Sequence, residues 1–461
     1  MDRRALTRGL FCCAALITVA VVPIARWTPQ APATRTADEK ALGEYTGVYQ
    51  WDHDAFTYLQ VWSEFTGTNQ LVAFDESGDV RVLYATDRDR FSAGPGAAVP
   101  TPVESRIQFQ LNAKGKITSL TWQREGTPPR NARRVEVERR EDVRFSNGGL
   151  ELAGTLISPT TSGKHPAIIL VPASGAEDRE YLLPFARFLV RHGIALLGYD
   201  KRGVGGSTGD WKTASLEDLA GDVVAALHYL QSRSDIDHGE IGLLGWSQAG
   251  WIMPLAATRA RGIGFLISIS GGGVPVAETT IDQAQNEMTA RGMKPQTVEQ
   301  IIRLMKLQYR FAQTGEGWDE YAAAREKLVA QMGRAPDTFP GTRDDPYWQF
   351  IRRLYLYDPA PTLRQLKVPT LALFGELDNN ILAEKNKAAW EAALKASGNR
   401  DYSLRILPKT NHLMLEAKTG NNAEMVSLQR FAPTYFATIR EWLAKRITHF
   451  RASLYTPRIT T

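Results

Sequence analysis

Cysteine is almost missing. The 461 residues include two, Cys12 and Cys13, side by side in an apolar stretch near the N-terminus. Beyond that stretch there is no disulfide framework, no thiolate ligand and no thiol nucleophile. A basic stripe is missing too. Of the formal net charge of +5, Arg3, Arg4, Arg8 and Arg26 against Asp2 supply +3, which leaves +2 for the remaining chain. So even a balance argues against a nucleic-acid partner. His53 lies between Asp52 and Asp54, a pattern that reads more economically as a solvated turn than as a metal site. What is present is an ordinary globular composition, 43% apolar and 23% charged, in a chain long enough for two or three domains.

The first residues read as an export signal. A positive segment at 2–8 precedes an apolar, uncharged run at 9–25, and a Pro/Ala/Thr-rich stretch follows with Ala31-Pro32-Ala33 as the small-residue cleavage site. The run is short for a spanning helix and contains Pro23, so cleavage is favoured over an uncleaved N-terminal anchor. Both cysteines lie inside the run rather than after it, which disfavours a lipoprotein. Residues 1–33 are thus expected to direct export to the periplasm or medium. Any membrane attachment would be through this segment alone.

Residues 34–141 read as a linker and a small antiparallel β domain. Apolar runs at 58–62, 71–74 and 80–84, and alternation at Ile107, Phe109, Leu111 and again at Ile117, Leu120, Trp122, are separated by Glu76-Ser77-Gly78-Asp79 and Asn112-Ala113-Lys114-Gly115. Period two between such turns is the hairpin signature. From 142 to 447 the pattern changes. A hairpin around Asn147-Gly148-Gly149 is followed by near-continuous apolar runs at 167–171, 194–199, 241–245, 265–270, 370–374 and 402–407, alternating with helical stretches. That predicts an α/β fold with a mostly parallel sheet buried on both faces. One predicted helix has Ser215 as its cap, Glu217 and Asp218 in its first turn, and Leu216, Leu219, Val223, Leu227 and Leu230 on one face. The alternation lapses at about 274–366, where a helical, aromatic-rich insertion is expected over the strand ends as a lid. Trp318, Tyr347 and Trp348 are candidates to line an acyl pocket there, with packing inside the insertion the simpler reading. Residues 448–461 form a tail.

The chemistry-bearing stretch is Gly245-Trp246-Ser247-Gln248-Ala249-Gly250, at the junction of an apolar run and a helical pattern. Small residues around a serine at a strand-to-helix turn describe a nucleophile elbow, with Ala249 where a second glycine is usual. Ser247 would need a base and an acid to orient it. Gly375-Glu376-Leu377-Asp378 follows one later strand and Pro408-Lys409-Thr410-Asn411-His412 follows another. His412 is the candidate base, since His165, His192, His228, His238 and His449 do not follow the carboxyl end of a strand. Asp378 is the candidate acid, with Glu376 as its neighbour alternative.

The order Ser247, Asp378, His412, each at a strand end, resembles the α/β-hydrolase superfamily. The closest likeness is to the branch of serine esterases and aminopeptidase-like hydrolases that carry a β domain before the catalytic core. Tyr199-Asp200-Lys201-Arg202-Gly203-Val204-Gly205-Gly206-Ser207 is similar to that branch's loop after the fourth strand; it fits neither P-loop nor dinucleotide spacing. The resemblance spans about 142–445. It implies an oxyanion hole built from the amide of Gln248 and an amide in Pro172-Ala173-Ser174-Gly175, where the family often has His-Gly-Ser-Gly: Ser174 by position, Ala173 as alternate. It implies no metal or organic cofactor, and a small acyl ester as substrate. An aminopeptidase or amidase would use the same triad, though the sequence shows no carboxylate cluster for a substrate amine. A non-catalytic binding protein on this scaffold is the remaining alternative.

Overall fold

The computed structural model describes residues 39–450 apart from 53, 183–185, 334–337 and 449. The expected signal at 1–33 with both cysteines, His53, His449 and the tail beyond 450 lie outside the described residues.

The N-terminal part begins with a short helix, α1 (Glu39–Gly43), and continues as β1 (Gly47–Asp52), β2 (Ala55–Trp62), β3 (Gln70–Asp75), β4 (Val80–Asp87), β5 (Arg90–Ala93), β6 (Ser105–Leu111), β7 (Ile117–Arg124) and β8 (Arg130–Val135). These eight antiparallel strands form a closed barrel, because β1 pairs with β8 through Val48↔Val135, Tyr49↔Arg134 and Gln50↔Arg133. Closure removes both sheet edges. The interior is filled by Leu42 from α1 and by Tyr49, Leu59, Leu71, Phe91, Phe109 and Leu120. It is a packed core. The alternation in β6 puts Ile107 and Phe109 inside and Arg106 outside. In β2 and β3 both faces are buried, because the outer wall here meets the second sheet's layer.

That sheet contains β9 (Glu138–Asn147), β10 (Leu150–Pro159), β11 (His165–Val171), β12 (Ala195–Tyr199), β13 (Ile236–Trp246), β14 (Phe265–Ile269), β15 (Thr370–Gly375) and β16 (Tyr402–Leu407). Its spatial order is β16-β15-β14-β13-β11-β12-β10-β9. The pairs from β12 through β16 are parallel; β10 runs antiparallel to β9 and β12. Gly148 (φ 55°) and Gly149 (φ 92°) make the two-residue turn of the β9–β10 hairpin, a left-handed pair that glycine adopts without a Cβ penalty. Period two along the central strands sends residues to two separate cores. Ala167, Ile169, Leu197 and Leu243 join one; Ile168, Leu170, Leu196 and Leu244 join the other.

Helices cover both faces: α2 (Arg179–Leu182), α3 (Ala186–Arg191), α4 (Leu216–Gln231) and α5 (Ala249–Arg259). Ser215 caps α4 in a full capping box with Asp218, as its sequence predicts. Between β14 and β15 comes the expected helical insertion, α6 (Val276–Ala290), α7 (Pro295–Thr314), α8 (Trp318–Met332), α9 (Tyr347–Leu354) and α10 (Ala360–Leu363). Left-handed Gly315 and Gly317 separate α7 from α8. Trp348 is 1% exposed and its ring meets Phe311, Trp318 and Tyr321, so it belongs to the insertion's own core. Among the described residues, α11 (Ala383–Ser397) lies between β15 and β16, and α12 (Tyr435–Ala444) comes last. No helix among the described residues is long and apolar enough to cross a membrane.

The barrel and the sheet share one core. Phe74 stacks on Phe436 of α12 at 6.0 Å and meets Phe431 edge-on at 6.2 Å. Arg187 of α3 donates to Leu59 O and to Glu138 Oε1, each at 3.0 Å, and Arg191 donates to the Tyr58 hydroxyl at 2.8 Å and pairs with Glu76. Burial pushes the Glu76 carboxyl up, but hydrogen bonding to His192, the Arg191 charge and the Tyr58 hydroxyl outweigh it and hold it at about 2. Phe74→Ala should therefore destabilise the whole chain by about 3–5 kcal/mol in urea unfolding; a loss under about 1 kcal/mol would mean that the two parts do not share a core.

Candidate active site

Strand β13 ends at Trp246 and α5 starts at Ala249, so Ser247 sits on the turn with φ 51°. A non-glycine residue with positive φ is strained, and such strain collects at functional turns. Its N–H donates to Ile269 O at 3.0 Å, and its carbonyl accepts from Gly250 N at 2.9 Å. The small flanks have a steric cause. A Cβ on Gly245 would stand 2.4 Å from the Ala249 Cβ and 2.9 Å from Val171 O; one on Gly250 would stand 2.5 Å from Gly271 Cα. Alanine at 249 is accommodated because Gly245 opposite it has no side chain.

The base and acid candidates meet. Asp378 Oδ2 lies 2.8 Å from His412 Nδ1, and Asp378 Oδ1 accepts from the amides of Asn380 and Ile381, each at 2.8 Å. A carboxylate on Nδ1 selects the tautomer with its proton there and leaves Nε2 as the acceptor. His412 Nε2 is buried and has no hydrogen-bond partner among the described residues. Glu376 is exposed and its carboxylate accepts from the Lys409 amide at 2.7 Å; Asp378 is the partner of His412. The histidine loop is tied to the elbow's neighbour strand, since the Ser270 hydroxyl donates to His412 O at 3.0 Å while Ile269 holds the Ser247 amide.

The other histidines are engaged elsewhere. His165 Nε2 is 3.0 Å from Thr161 O, His238 Nε2 is 2.8 Å from Arg233 O, His192 faces Glu76 beneath the barrel, and His228 is exposed on α4. Among the described residues no cluster suited to a metal ion occurs.

At the proposed oxyanion turn, Gly175 is the left-handed residue (φ 87°), while Ala173 is not among the positive-φ residues and so carries its Cβ without strain. The Ala173 amide donates to Glu177 Oε2 at 2.6 Å, which removes it as the alternate donor. Gln248 precedes α5, where outward-pointing amides favour negative charge. The Gly-rich loop folds on itself: Asp200 Oδ2 accepts from Gly206 N at 2.8 Å, and Arg202 forms a two-pronged pair with Asp222 at 2.8 and 2.7 Å.

Three groups near the site were missed in the sequence. Lys201 stands inside the Gly-rich motif and Glu177 two residues beyond Gly175, yet nothing local marks them as partners. Glu64 comes from the barrel, on the loop after β2, and accepts from the Tyr181 hydroxyl. Burial raises its carboxyl pKa, against the Tyr181 hydrogen bond and the charge of His412. No periodicity signals such a residue.

The family model for X-Pro dipeptidyl-peptidase (S15 family) matches residues 148–414. Esterase EstD of Thermotoga maritima is 24% identical over 274 residues, 58% of this chain and 59% of its own length; the chain thus spans well under two thirds of that relative. Among solved structures, a Pyrococcus furiosus esterase is 16% identical with a TM-score of 0.42, covering 67% of this chain and 92% of its own. Pyrococcus horikoshii acylaminoacyl peptidase is 14% identical with a TM-score of 0.43, covering 85% of this chain and 56% of its own.

The elbow's close contacts are testable without an assay. Gly245→Ala should cost about 1–3 kcal/mol in urea unfolding through overpacking, whereas Ala249→Gly should cost about 1 kcal/mol or less. Equal effects of the two would mean the turn is not crowded at Gly245.

Proposed function

The chain belongs to the X-Pro dipeptidyl-peptidase (S15) family of α/β-hydrolases, and from that premise we propose that it is a serine hydrolase cleaving a carboxylic ester through an acyl-enzyme on Ser247. The observation that carries this is the buried Asp378–His412 pair at 2.8 Å, on a loop tied through Ser270 to the strand beside a strained, buried serine. In this reading His412 Nε2 takes the Ser247 proton as Oγ attacks the acyl carbon. Asp378, held by two amides, keeps the imidazole oriented and stabilises the imidazolium. The amides of Gln248 and Ser174 receive the oxyanion. His412 then returns its proton to the leaving alcohol, and water, activated the same way, releases the acid. The reading needs no metal or organic cofactor.

The helical insertion acts as the lid over this site. Its α6 reaches the acid's loop, where Asn286 Nδ2 donates to Asn379 O at 3.1 Å. The N-terminal segment serves export, so the mature protein works in the periplasm or medium. A cleavage near residue 33, read by N-terminal sequencing of the mature form, tests this.

A second reading, amide or peptide cleavage with the same triad, has one observation in its favour. Glu64, on which the His412 charge acts, and Glu177 supply carboxylates beside the site that a substrate ammonium would require. Turnover of short p-nitrophenyl esters against aminoacyl anilides separates the two. Esters should be faster; faster anilide turnover would overturn the ester assignment. Fluorophosphonate should label the folded protein and fail to label Ser247→Ala. Asp378→Asn should lower kcat by about 10³–10⁴-fold with little change in unfolding midpoint. An unlabelled, folded wild type would leave a binding protein on a hydrolase scaffold.

A further inference from the structure

Residue 173 is held at both ends of its backbone by buried charged side chains. Its N–H donates to Glu177 Oε2 at 2.6 Å. Its carbonyl accepts from Lys201 Nζ, and the same ammonium donates to Gln248 Oε1 at 2.9 Å. The backbone repeats the link, with Lys201 N donating to Glu177 O at 3.1 Å. Lys201, Glu177 and Gln248 are 2%, 8% and 6% exposed. The proposed reaction gives none of these side chains a role, and lysine and glutamate are seldom buried this deeply unless they are paired.

Geometry supplies the role. The carbonyl of Ala173 and the N–H of Ser174 belong to one planar trans peptide, on opposite sides of it. Fixing the carbonyl fixes the direction in which the Ser174 N–H points. We propose that Lys201 and Glu177 are positioning residues that aim the Ser174 amide at the oxyanion and lock its turn to the nucleophile elbow through Gln248. Lys201 sets the plane and, as a cation on the carbonyl, strengthens the N–H as a donor. Glu177 holds the preceding amide and offsets the buried ammonium, which also faces the Trp211 ring at 5.5 Å. This rests on the reading of Ser247 as nucleophile.

Burial pushes the Glu177 carboxyl up to about 7, against the pull of Lys201 and the Ala173 amide and with added repulsion from Glu64 and Asp178. The groups that act on it are thus Lys201 after β12, Glu64 on the barrel loop and Asp178 on its own turn, with His412 beyond Glu64. A raised carboxyl is charged above that value and neutral below it. The clamp is therefore complete in mildly alkaline solution and loses its anion on acidification.

Two variants of the full chain test this, with near-ultraviolet circular dichroism confirming the fold of each. Lys201→Met should lower kcat for a p-nitrophenyl ester by about hundredfold with KM within about threefold, because the lost interaction belongs to the transition state. A trifluoromethyl ketone, which forms a tetrahedral oxyanion adduct, should lose affinity by a similar factor. Glu177→Gln, nearly the same shape, carries the test if Lys201→Met does not fold. Its kcat/KM should be about tenfold below wild type at pH 8.5, and the ratio should close toward one by pH 5.5, where wild type also carries a neutral side chain. The titration of His412 is common to both proteins and cancels in the ratio. A Glu177→Gln kcat/KM equal to wild type at pH 8.5, or unchanged ketone affinity in Lys201→Met, overturns the clamp. Fluorophosphonate labelling distinguishes the failures: labelling lost in Ser247→Ala with either of those results sinks the clamp alone, whereas labelling elsewhere sinks the nucleophile assignment beneath it.

Discussion

The chain is tightly crowded where β13 turns into α5, and the candidate active site is arranged around that turn. Gly245 packs against Val171 O at the end of β11, and Gly250 packs against Gly271 just beyond β14. The elbow is thus wedged between both neighbouring strand ends with no space for a Cβ on either side. Strain at a non-glycine φ of 51° costs about 1–3 kcal/mol, and it persists because the Ile269 carbonyl and the first turn of α5 hold the backbone. The wedge also sets distances. Residues 172–175 leave β11 directly after Val171, so the contact that forbids a side chain at Gly245 fixes the height of this turn, the proposed oxyanion turn, relative to Ser247. Ser270, one residue beyond the Ile269 that holds the serine amide, reaches the His412 carbonyl.

The barrel stabilises this arrangement from behind the histidine. The chain from His412 to α12 runs along the barrel wall: Val80 N donates to Gln429 O, Ala97 N to Leu428 O, and Phe431 N to Gly78 O. Leu415 then bridges Phe431, and Ala432 N returns to Met414 O. The loop that carries His412 therefore has the sheet on one side and barrel backbone on the other. That explains the apolar outer wall of β2 to β4, which an isolated barrel would leave in water. It also explains how Glu64, far away in the chain, comes within electrostatic reach of His412.

What the sequence made legible follows from range. Strands β10 through β16, the capped α4, the insertion with its Gly315–Gly317 break and the Ser247, Asp378, His412 order are each written in local pattern, and the fold they imply is the one observed. Closure of the barrel was not legible, because Val48 and Val135 pair across most of that part and leave no local trace. β1 and β5 escaped for a related reason: β5 has only four residues, and neither strand alternates cleanly. The Gly-x-x-Asp spacing favoured Asp378 over Glu376 without excluding the latter. Backbone donors decided it, since the amides of Asn380 and Ile381 converge on Asp378 while Glu376 is turned toward Lys409. Which amide of the turn after β11 was already taken also depended on Glu177, whose carboxylate returns to it from four residues on.

The departure from glycine in that turn now has a physical reading. A His-Gly-Ser-Gly turn obtains its shape from glycine's conformational freedom. Here Pro172 has a fixed φ and no N–H, and Ala173 excludes the left-handed region that Gly175 alone occupies. The turn is narrowed by sterics at its start and by charge at its middle, where one carboxylate and one ammonium grip the two sides of Ala173. In the proposed reaction such a turn would lose less conformational entropy when the oxyanion forms, because the donor's plane is set beforehand. The same substitution introduces buried ionisable groups that glycine would not need. Burial raises the Glu177 carboxyl, so in the clamp we propose the stiffness of this turn would depend on proton concentration.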